Sequence, residues 1–199
     1  MGLIRVEVME NERPEEWYTR DWVADSDRRR FLPIYRAGLN MLREIAAESK
    51  PTKPPMVLEA GCGDGYFGKL VSRKFTWRGF DFCRYAVEKA LDRGVDAWVG
   101  NVYDPTNYDH NYTVFVAMEV LEHVDDLRLL DNVKTGAQVL CSMPLNEPVI
   151  PTKATCHVRW YKDEDHIRER FVDRLIINKF ITSQWGNGYT DIMFRGTKL

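Results

Sequence analysis

The sequence has no long hydrophobic run and no large excess of either charge. None of its apolar stretches approaches the ~20 residues that a membrane-spanning helix needs. The net charge is −2 over 199 residues, so the chain lacks the basic surplus typical of proteins that bind nucleic acids or membrane surfaces. We therefore expect one domain of ordinary size, with neither a membrane nor a nucleic acid as its partner.

Cysteine is also scarce, and no two cysteines have the C-x-x-C spacing of a zinc site or a redox motif. The four are Cys62, Cys83, Cys141 and Cys156. Three of them fall in or beside predicted strands and turns, where cysteine serves as a small apolar residue. No long apolar run precedes Glu7, so we do not expect a signal peptide. These features predict reduced thiols and a cytoplasmic location.

The most informative segment is the glycine-rich turn of residues 57–68, V-L-E-A-G-C-G-D-G-Y-F-G. A short apolar run at its start predicts a buried strand that ends in the acid Glu59. The glycines Gly61, Gly63 and Gly65 then allow the backbone to adopt φ > 0 and bring N–H groups close to a ligand. Glu59 would repel a pyrophosphate but would suit a ligand that carries an ammonium group or hydroxyls.

A second acid follows one helix and one strand later. The helix pattern places Phe67, Leu70 and Val71 on its apolar face, and the next strand ends at Asp81. In a nucleotide-binding βαβ unit such a carboxylate accepts hydrogen bonds from both ribose hydroxyls. The pattern therefore excludes a ligand with a 2′-phosphate, but it does not by itself exclude NAD.

These motifs together resemble class I S-adenosylmethionine-dependent methyltransferases. Residues 59–65 match their first motif, E/D-x-G-x-G-x-G, and residues 79–90, G-F-D-F-C-R-Y-A-V-E-K-A, are similar to their G-x-D-x-S/C…A-V-E-x-A segment. The string M-E-V-L-E-H-V at 118–124 resembles the M-E-x-L-E-H-V loop of the ubiquinone-biosynthesis type. The alternative, an NAD-binding oxidoreductase, rests on the pattern G-x-G-x-x-G at 63–68.

The resemblance implies an α/β fold, a Rossmann-like, seven-stranded, mostly parallel sheet with a C-terminal antiparallel hairpin and helices on both faces. Two β-branched and aromatic runs, 174–185 and 190–197, flank Gly186-Asn187-Gly188, which is a strong hairpin signal. We expect the methyltransferase domain to cover residues 33–199. Residues 1–32 are charged and aromatic, and we expect them to form an N-terminal cap or lid.

The resemblance also implies that the cofactor is S-adenosylmethionine. Glu59 and Asp81 would contact it from the strand ends, and Met118 would line its methionine end. The whole predicted cofactor set is Arg36, Glu59, Gly61, Cys62, Gly63, Gly65, Asp81, Phe82, Asn101, Val102 and Met118. Asn101 and Val102 stand where the family holds adenine, and Arg36 is the nearest counterpart of an arginine that pairs with the cofactor carboxylate.

Structural alternatives stay open for these residues at the level of sequence. Glu59 could cap the following turn, and Asp81 could begin the next helix as its N-cap. Asn101 could be a turn residue and Met118 a core residue. Arg36 could be an exposed helical side chain.

Glu119, Glu122 and His123 form the remaining cluster of functional interest, because spacings of three and four would bring them together in one cleft. Small-RNA 2′-O-methyltransferases use such an E-x-x-E-H set with a distant histidine, here His157, to hold a divalent cation. Other strings of those enzymes are absent, and L-E-H-V is common in small-molecule members without a metal. We therefore expect no metal, and we take His123 and Glu119 as the catalytic candidates.

The function predicted from these observations is methyl transfer from S-adenosylmethionine to an oxygen or nitrogen of a small molecule. One alternative is a metal-assisted RNA 2′-O-methyltransferase. A second alternative, from another class, is a protein that binds S-adenosylmethionine without catalysis. The sequence does not name the acceptor, because residues 1–32 and 145–162, which should shape the acceptor pocket, match no readable pattern.

Overall fold

A computed structural model describes residues 15, 18, 32–49, 54–146, 157–184 and 190–199. The strands are β1 (Met56–Ala60), β2 (Thr76–Asp81), β3 (Ala97–Val99), β4 (Val114–Met118), β5 (Gln138–Leu145), β6 (Leu175–Gln184) and β7 (Thr190–Lys198). The helices are α1 (Leu32–Ser49), α2 (Tyr66–Val71), α3 (Arg84–Asp92), α4 (Asp126–Asp131) and α5 (Glu164–Phe171). Two 3₁₀ turns, Pro105–Tyr108 and Leu121–His123, join them.

The strands form a seven-stranded sheet in the order β3-β2-β1-β4-β5-β7-β6. The five strands from β3 to β5 are parallel, and β7 runs antiparallel to both β5 and β6. This arrangement confirms the predicted fold class. The predicted hairpin turn at 186–188 lies outside the described residues, although the two strands that it joins pair as expected.

Helices cover both faces of the sheet, which explains why the central strands are apolar throughout. In β4, Phe115 and Ala117 pack with the buried side chains of α4 and α5, whereas Val114 and Val116 pack with those of α1 to α3. Successive residues of a strand point to opposite faces, so a strand between two helical layers needs apolar side chains at every position. β4 is accordingly buried at all five residues.

Helix α1 begins one residue before the predicted domain boundary at 33. The helical period of this segment predicts one apolar stripe, and its four residues, Ile34, Met41, Leu42 and Ile45, are all buried. Two ion pairs also join its outer face to the C-terminal hairpin, from Lys179 to Glu44 at 2.7 Å and from Arg195 to Glu48 at 2.5 Å. Of the predicted N-terminal segment 1–32, the structure describes Glu15, Tyr18 and Leu32.

Two local predictions differ from the structure. The helical period of α3 predicts Val87, Ala90 and Leu91 on one face, yet Leu91 is 53% exposed, because the helix turns Ala86, Val87 and Ala90 toward the sheet instead. Pro144 predicts the end of the strand that precedes it, but β5 continues one residue further, to Leu145. The pairing of β5 with β4 already ends at Ser142, so the missing N–H of the proline interrupts no ladder on that side.

None of the helices among the described residues has the length and hydropathy that crossing a membrane would require.

Candidate functional site

The carboxyl ends of β1, β2 and β4 meet where the strand order reverses. β1 pairs with β2 on one side and with β4 on the other, and chain connections leave in opposite directions from this point. Ligands of open parallel sheets bind in the crevice at such a switch point. Three predicted site residues stand at these strand ends, namely Glu59, Asp81 and Met118.

The turn after β1 requires glycine at three positions. Gly61, Gly63 and Gly65 have φ angles of 65°, 53° and 71°, which side chains disfavour. An added Cβ at Gly61 would lie 2.4 Å from Cγ2 of Val120, and one at Gly65 would lie 2.9 Å from Cβ of Ala90. An added Cβ at Gly63 would meet no atom within 4 Å. Neighbouring protein atoms therefore leave no room for a side chain at Gly61 and Gly65, whereas Gly63 faces open space.

Asp81 connects the end of β2 to the glycine turn. Its Oδ2 accepts a hydrogen bond from the backbone N–H of Gly63 at 2.9 Å, and its Oδ1 accepts one from the N–H of Cys83 at 2.9 Å. The N-cap of α3 is Cys83, so Asp81 is not the N-cap. A carboxylate has about four acceptor positions, which leaves capacity for ribose hydroxyls beyond these two bonds. Ribose binding by Asp81 stays a prediction.

Glu59 lies beneath the glycine turn and is 2% exposed. Its Oε2 accepts a hydrogen bond from Nε1 of Trp77 at 2.8 Å, a partner that the sequence analysis did not foresee. Burial raises the pKa of Glu59 well above its usual value, and the charges of Asp81 and Asp64 add to this increase against the opposing Trp77 bond. A cationic ligand group would stabilise the charged form, which keeps the predicted cofactor contact chemically reasonable.

Asn101 shapes the turn that was predicted to hold adenine. Its Oδ1 accepts a hydrogen bond from the N–H of Tyr103 at 2.9 Å, and its backbone carbonyl accepts one from Nδ2 of Asn107 at 3.0 Å. The carbonyl of Val102 accepts a hydrogen bond from the Tyr108 hydroxyl at 2.8 Å. Asn101 is thus a turn residue in this structure, which was the structural alternative for it. Adenine binding by Asn101 and Val102 stays a prediction.

Cys62 and Met118 contribute apolar walls to the cleft. Each is 6% exposed, and both belong to the core layer shared with α1 to α3. Burial raises the pKa of the Cys62 thiol well above its usual value, so this residue is not a reactive thiolate. Both residues were predicted to line the cofactor, and apolar side chains suit that role. No described contact tests this prediction.

Two residues of the N-terminal segment reach this edge of the sheet. Oε1 of Glu15 accepts a hydrogen bond from the backbone N–H of Arg84 at 2.6 Å, at the start of α3. The ring of Tyr18 packs edge-on against Phe82, with centroids 5.0 Å apart, and its centroid lies 6.2 Å from that of His123. The sequence predicted that the aromatic N-terminal segment forms a cap or lid, but it did not predict the contacts of Tyr18 with Phe82 and His123.

Arg36 lies on the exposed face of α1. It lines a cavity of about 520 Å³ between α1 and α2, together with Leu32, Leu39, Asn40, Arg43, Tyr66 and Leu70. The ring of Tyr35 stacks on that of Tyr66 at 6.0 Å, which brings this part of α1 to the end of the glycine turn. Arg36 thus lies near the glycine turn, but no described contact tests whether it pairs with a cofactor carboxylate, so this pairing stays a prediction.

Glu119 faces strand β5 at the carboxyl end of β4. Its N–H donates to the carbonyl and the hydroxyl oxygen of Ser142, and the Ser142 hydroxyl donates back to Oε1 at 2.6 Å. Glu119 has φ of 57°, and the following turn is 3₁₀ rather than α-helical. The helical spacing argument therefore fails for this residue, which is not in the compact group formed by the other three.

Glu122, His123 and His157 come together beside the cleft, and their ligand atoms all lie within 4.8 Å of one another. Nε2 of His123 is 3.6 Å from Oε1 of Glu122, and the two imidazole centroids are 4.9 Å apart. The backbone carbonyl of Glu122 accepts hydrogen bonds from the N–H groups of Val158 and Arg159 at 2.7 and 3.1 Å. These two bonds bring the distant His157 to His123.

A buried carboxylate, Asp126, anchors the segment that carries His157. Asp126 is fully buried and accepts two hydrogen bonds from Arg170, each of 2.5 Å, and one from the Tyr161 hydroxyl at 2.7 Å. Nε of Arg159 lies 3.6 Å from it. Sequence reasoning missed this network. An acid in the first turn of a helix is usually exposed, and the sequence contains no signal that it would be buried here.

Comparison with known proteins places this geometry in a family. A model described as a methyltransferase domain matches residues 27–179. A ubiquinone biosynthesis O-methyltransferase from Citrobacter koseri is 29% identical over a region covering 56% of this chain and 52% of that protein. The chain thus spans about half the length of this curated relative.

Solved structures of low sequence identity share the fold. Magnesium protoporphyrin IX methyltransferase from Synechocystis PCC 6803, with bound S-adenosylhomocysteine, has a TM-score of 0.66 at 12% identity, covering 92% of this chain and 97% of that one. An N-methyltransferase from Bradyrhizobium japonicum WM9, in complex with S-adenosylhomocysteine, has a TM-score of 0.62 at 17% identity, covering 92% and 98%. Since the family model matches well over half of the chain, this protein belongs to the methyltransferase domain family.

Proposed function

We propose that this protein transfers a methyl group from S-adenosylmethionine to an oxygen or nitrogen of a small molecule. The observation that carries this proposal is the joined unit of Gly63 and Asp81 at the switch point. The Asp81 carboxylate at the end of β2 accepts a hydrogen bond from the N–H of Gly63. A Cβ added at Gly63 would meet no protein atom within 4 Å, so there is open space beside this glycine. Such a unit suits the ribose of a nucleoside cofactor lying across the glycine turn.

The donor half of the cleft supplies binding groups of the right chemistry. Asp81 offers a negative acceptor to ribose hydroxyls, and Glu59 lies where a positive charge would stabilise its ionised form. Met118 and Cys62 supply an apolar surface for the thioether region. Each proposed contact pairs a ligand group with a protein group that favours it.

The reaction needs alignment more than it needs acid–base chemistry. The acceptor lone pair attacks the sulfonium methyl carbon, the C–S bond breaks, and its electron pair remains on sulfur as S-adenosylhomocysteine forms. Orientation alone can supply on the order of 7–11 kcal/mol in favourable cases. The acceptor proton leaves to a base, for which we propose His123 or Glu119 at the end of β4.

We propose a small-molecule acceptor because the relatives with similar folds include enzymes named for such substrates. The curated relative is named for ubiquinone biosynthesis, and the Synechocystis enzyme for magnesium protoporphyrin IX. The net charge of −2 also provides no electrostatic basis for RNA binding. We retain the prediction of a cytoplasmic location, which fits the buried thiols of Cys62, Cys83 and Cys141, since none of these three forms a disulfide among the described residues.

Two measurements test the proposal. Calorimetric titration should show binding of S-adenosylmethionine and S-adenosylhomocysteine and none of NAD. A panel of catechols, carboxylic acids, amines and a short single-stranded RNA, read out as S-adenosylhomocysteine release, should give turnover with a small molecule. Binding of NAD alone would overturn the cofactor assignment. Cofactor binding without turnover on any acceptor would support the non-catalytic alternative, and turnover on RNA alone would support the RNA alternative.

A further inference from the structure

We infer that Glu122, His123 and His157 form a binding site for a divalent transition-metal cation beside the cofactor cleft. The sequence favoured a structural role for His123 and no metal. The tertiary structure favours a metal site instead, because it places His157, from a separate segment, next to Glu122 and His123. Cation binding at this site does not depend on the proposed function.

The spacing of the three ligand atoms is close to that of a coordinated ion. All three lie within 4.8 Å of one another. With metal–ligand bonds of about 2.0–2.2 Å, neighbouring ligands of a tetrahedral ion lie roughly 3.5 Å apart. The ligand atoms would therefore need to approach one another by at most about 1.3 Å around an ion, a change that rotation of the Glu122 carboxylate and the His157 ring can provide.

The cluster is not explained by a direct hydrogen bond between its first two members. The separation of 3.6 Å between Nε2 of His123 and Oε1 of Glu122 is longer than a hydrogen bond. Glu122 is 2% exposed, so its carboxylate lies in the interior beside the two imidazoles. A cation between the carboxylate and the two imidazoles would fit the space that this separation leaves.

The site is held by backbone bonds rather than by its own side chains. The carbonyl of Glu122 fixes the segment after His157 through the N–H groups of Val158 and Arg159. Asp126 holds the next residues of the same segment through Tyr161. A site whose ligands are positioned in advance loses little conformational freedom when an ion binds.

The ligand types select the class of cation. Two imidazole nitrogens and one carboxylate oxygen suit Mn²⁺, Fe²⁺, Co²⁺ or Zn²⁺, whereas Mg²⁺ and Ca²⁺ favour oxygen ligands only. Two of the chain's four histidines lie in this one cluster, so the nitrogen character of the site is concentrated here. Three protein ligands leave coordination positions free for a further oxygen.

A cation at this site would have a role in acceptor binding, and this part of the inference rests on the proposed function. The cluster follows Met118, the last residue of β4, and therefore lies next to the expected methyl donor. A bound dication holds an acceptor oxygen and lowers the pKa of its hydroxyl. With Nε2 of His123 on the ion, Glu119 remains as the candidate that takes the proton.

Binding of Co²⁺ alone tests the site, without cofactor or acceptor. Full-length protein without an affinity tag is stripped with EDTA and dialysed, and Co²⁺ uptake is measured by equilibrium dialysis and by visible absorption. We expect one equivalent per chain. His157→Asn and Glu122→Gln should each weaken binding at least tenfold. The matched control is His110→Asn, since His110 precedes β4 at the opposite edge of the sheet, where its Nδ1 lies 3.1 Å from Arg78.

The outcomes separate this inference from the proposed function. Wild-type protein that takes up no Co²⁺, or a His157→Asn variant that binds it as tightly as wild type, overturns the site. If Glu122→Gln does not fold, as thermal unfolding would show, His157→Asn decides alone, because His157 is only half-buried. Stoichiometric uptake that is lost in His157→Asn and kept in His110→Asn establishes the site, whether or not any acceptor is methylated.

Discussion

The carboxylate of Asp81 accepts a hydrogen bond from the backbone N–H of Gly63 at 2.9 Å, which locks the end of β2 to the turn after β1. Its second oxygen holds the N–H of Cys83 at the start of α3. One side chain therefore fixes the relative position of two loops, and both are expected to contact the nucleoside of the cofactor. This double role makes the choice of substitution at Asp81 important.

Asp81→Asn should lower the affinity for S-adenosylhomocysteine at least tenfold, about 1.4 kcal/mol. The amide keeps one of the two acceptor oxygens, so one loop N–H loses its acceptor, and it also loses the negative charge that strengthens hydrogen bonds from ribose hydroxyls. Calorimetric titration measures the change. The control is Asp96→Asn, at an exposed carboxylate that pairs with Arg78 at 2.7 Å. Unchanged affinity in Asp81→Asn would refute the ribose assignment.

Gly63→Ala and Gly65→Ala should differ sharply in stability, although both glycines have positive φ. The left-handed conformation alone costs about 1–2 kcal/mol in either variant. Only at Gly65 does the new Cβ also collide with Ala90, 2.9 Å away, which adds about 1–3 kcal/mol. Urea unfolding should therefore show the larger loss for Gly65→Ala. Gly63→Ala should fold and bind S-adenosylhomocysteine more weakly, and equal stabilities would contradict this account.

Glu59→Gln should be more stable than wild type, by a margin that grows as the pH rises. Burial raises the folded-state pKa of Glu59 above that of the unfolded chain. The neutral carboxyl therefore contributes stability that is fully present below the unfolded pKa and is lost as the pH rises through the folded pKa. Glutamine stays neutral and can still accept the bond from Trp77. Unfolding in the absence of cofactor, from about pH 4 to about pH 8, measures the difference.

The control for this pH dependence has the opposite sign. A hydrogen bond from Arg195 lowers the pKa of Glu48, so the contribution of Glu48 is present above its unfolded pKa and is lost as the pH falls. Glu48→Gln should therefore become less stable relative to wild type as the pH rises. A constant difference between Glu59→Gln and wild type over the whole range would show that Glu59 is not buried as described.

Asp126→Ala should destabilise the fold by about 2–3 kcal/mol, because it removes a fully buried carboxylate that binds the partly buried guanidinium of Arg170 and the buried hydroxyl of Tyr161. Asp131→Ala, on the same helix, provides the matched comparison. Asp131 also pairs with an arginine, Arg174, but its side chain is 56% exposed, and the loss should be about 0–1 kcal/mol. Urea unfolding measures the free energy of unfolding of both variants. Similar losses of stability in the two variants would contradict this prediction.

The features that the sequence determined by itself are those set within a few residues. The glycines at 61, 63 and 65 have the positive φ that their spacing predicted. Gly94 follows the helical pattern of α3, where a glycine favours a left-handed C-terminal cap, and it has φ of 78°. The apolar stripe of α1 is buried as its period required. Backbone conformation and amphipathic period depend on local sterics and side-chain order, so such signals can be read before any packing is known.

The contacts between distant segments were decided only by the tertiary structure. Nothing local to Glu59 indicates that Trp77 would donate to it. His157 was suggested as a neighbour of His123 only by the resemblance to the RNA enzymes, and it is the tertiary structure that places the two ring centroids 4.9 Å apart. The spacing of Glu119 even pointed to the wrong neighbours, because a positive φ turns it toward Ser142. Such pairings depend on how the strand ends and their loops pack in three dimensions. The sequence therefore determines the family and the glycine turn, whereas the close packing of the loops decides which side chains can act together.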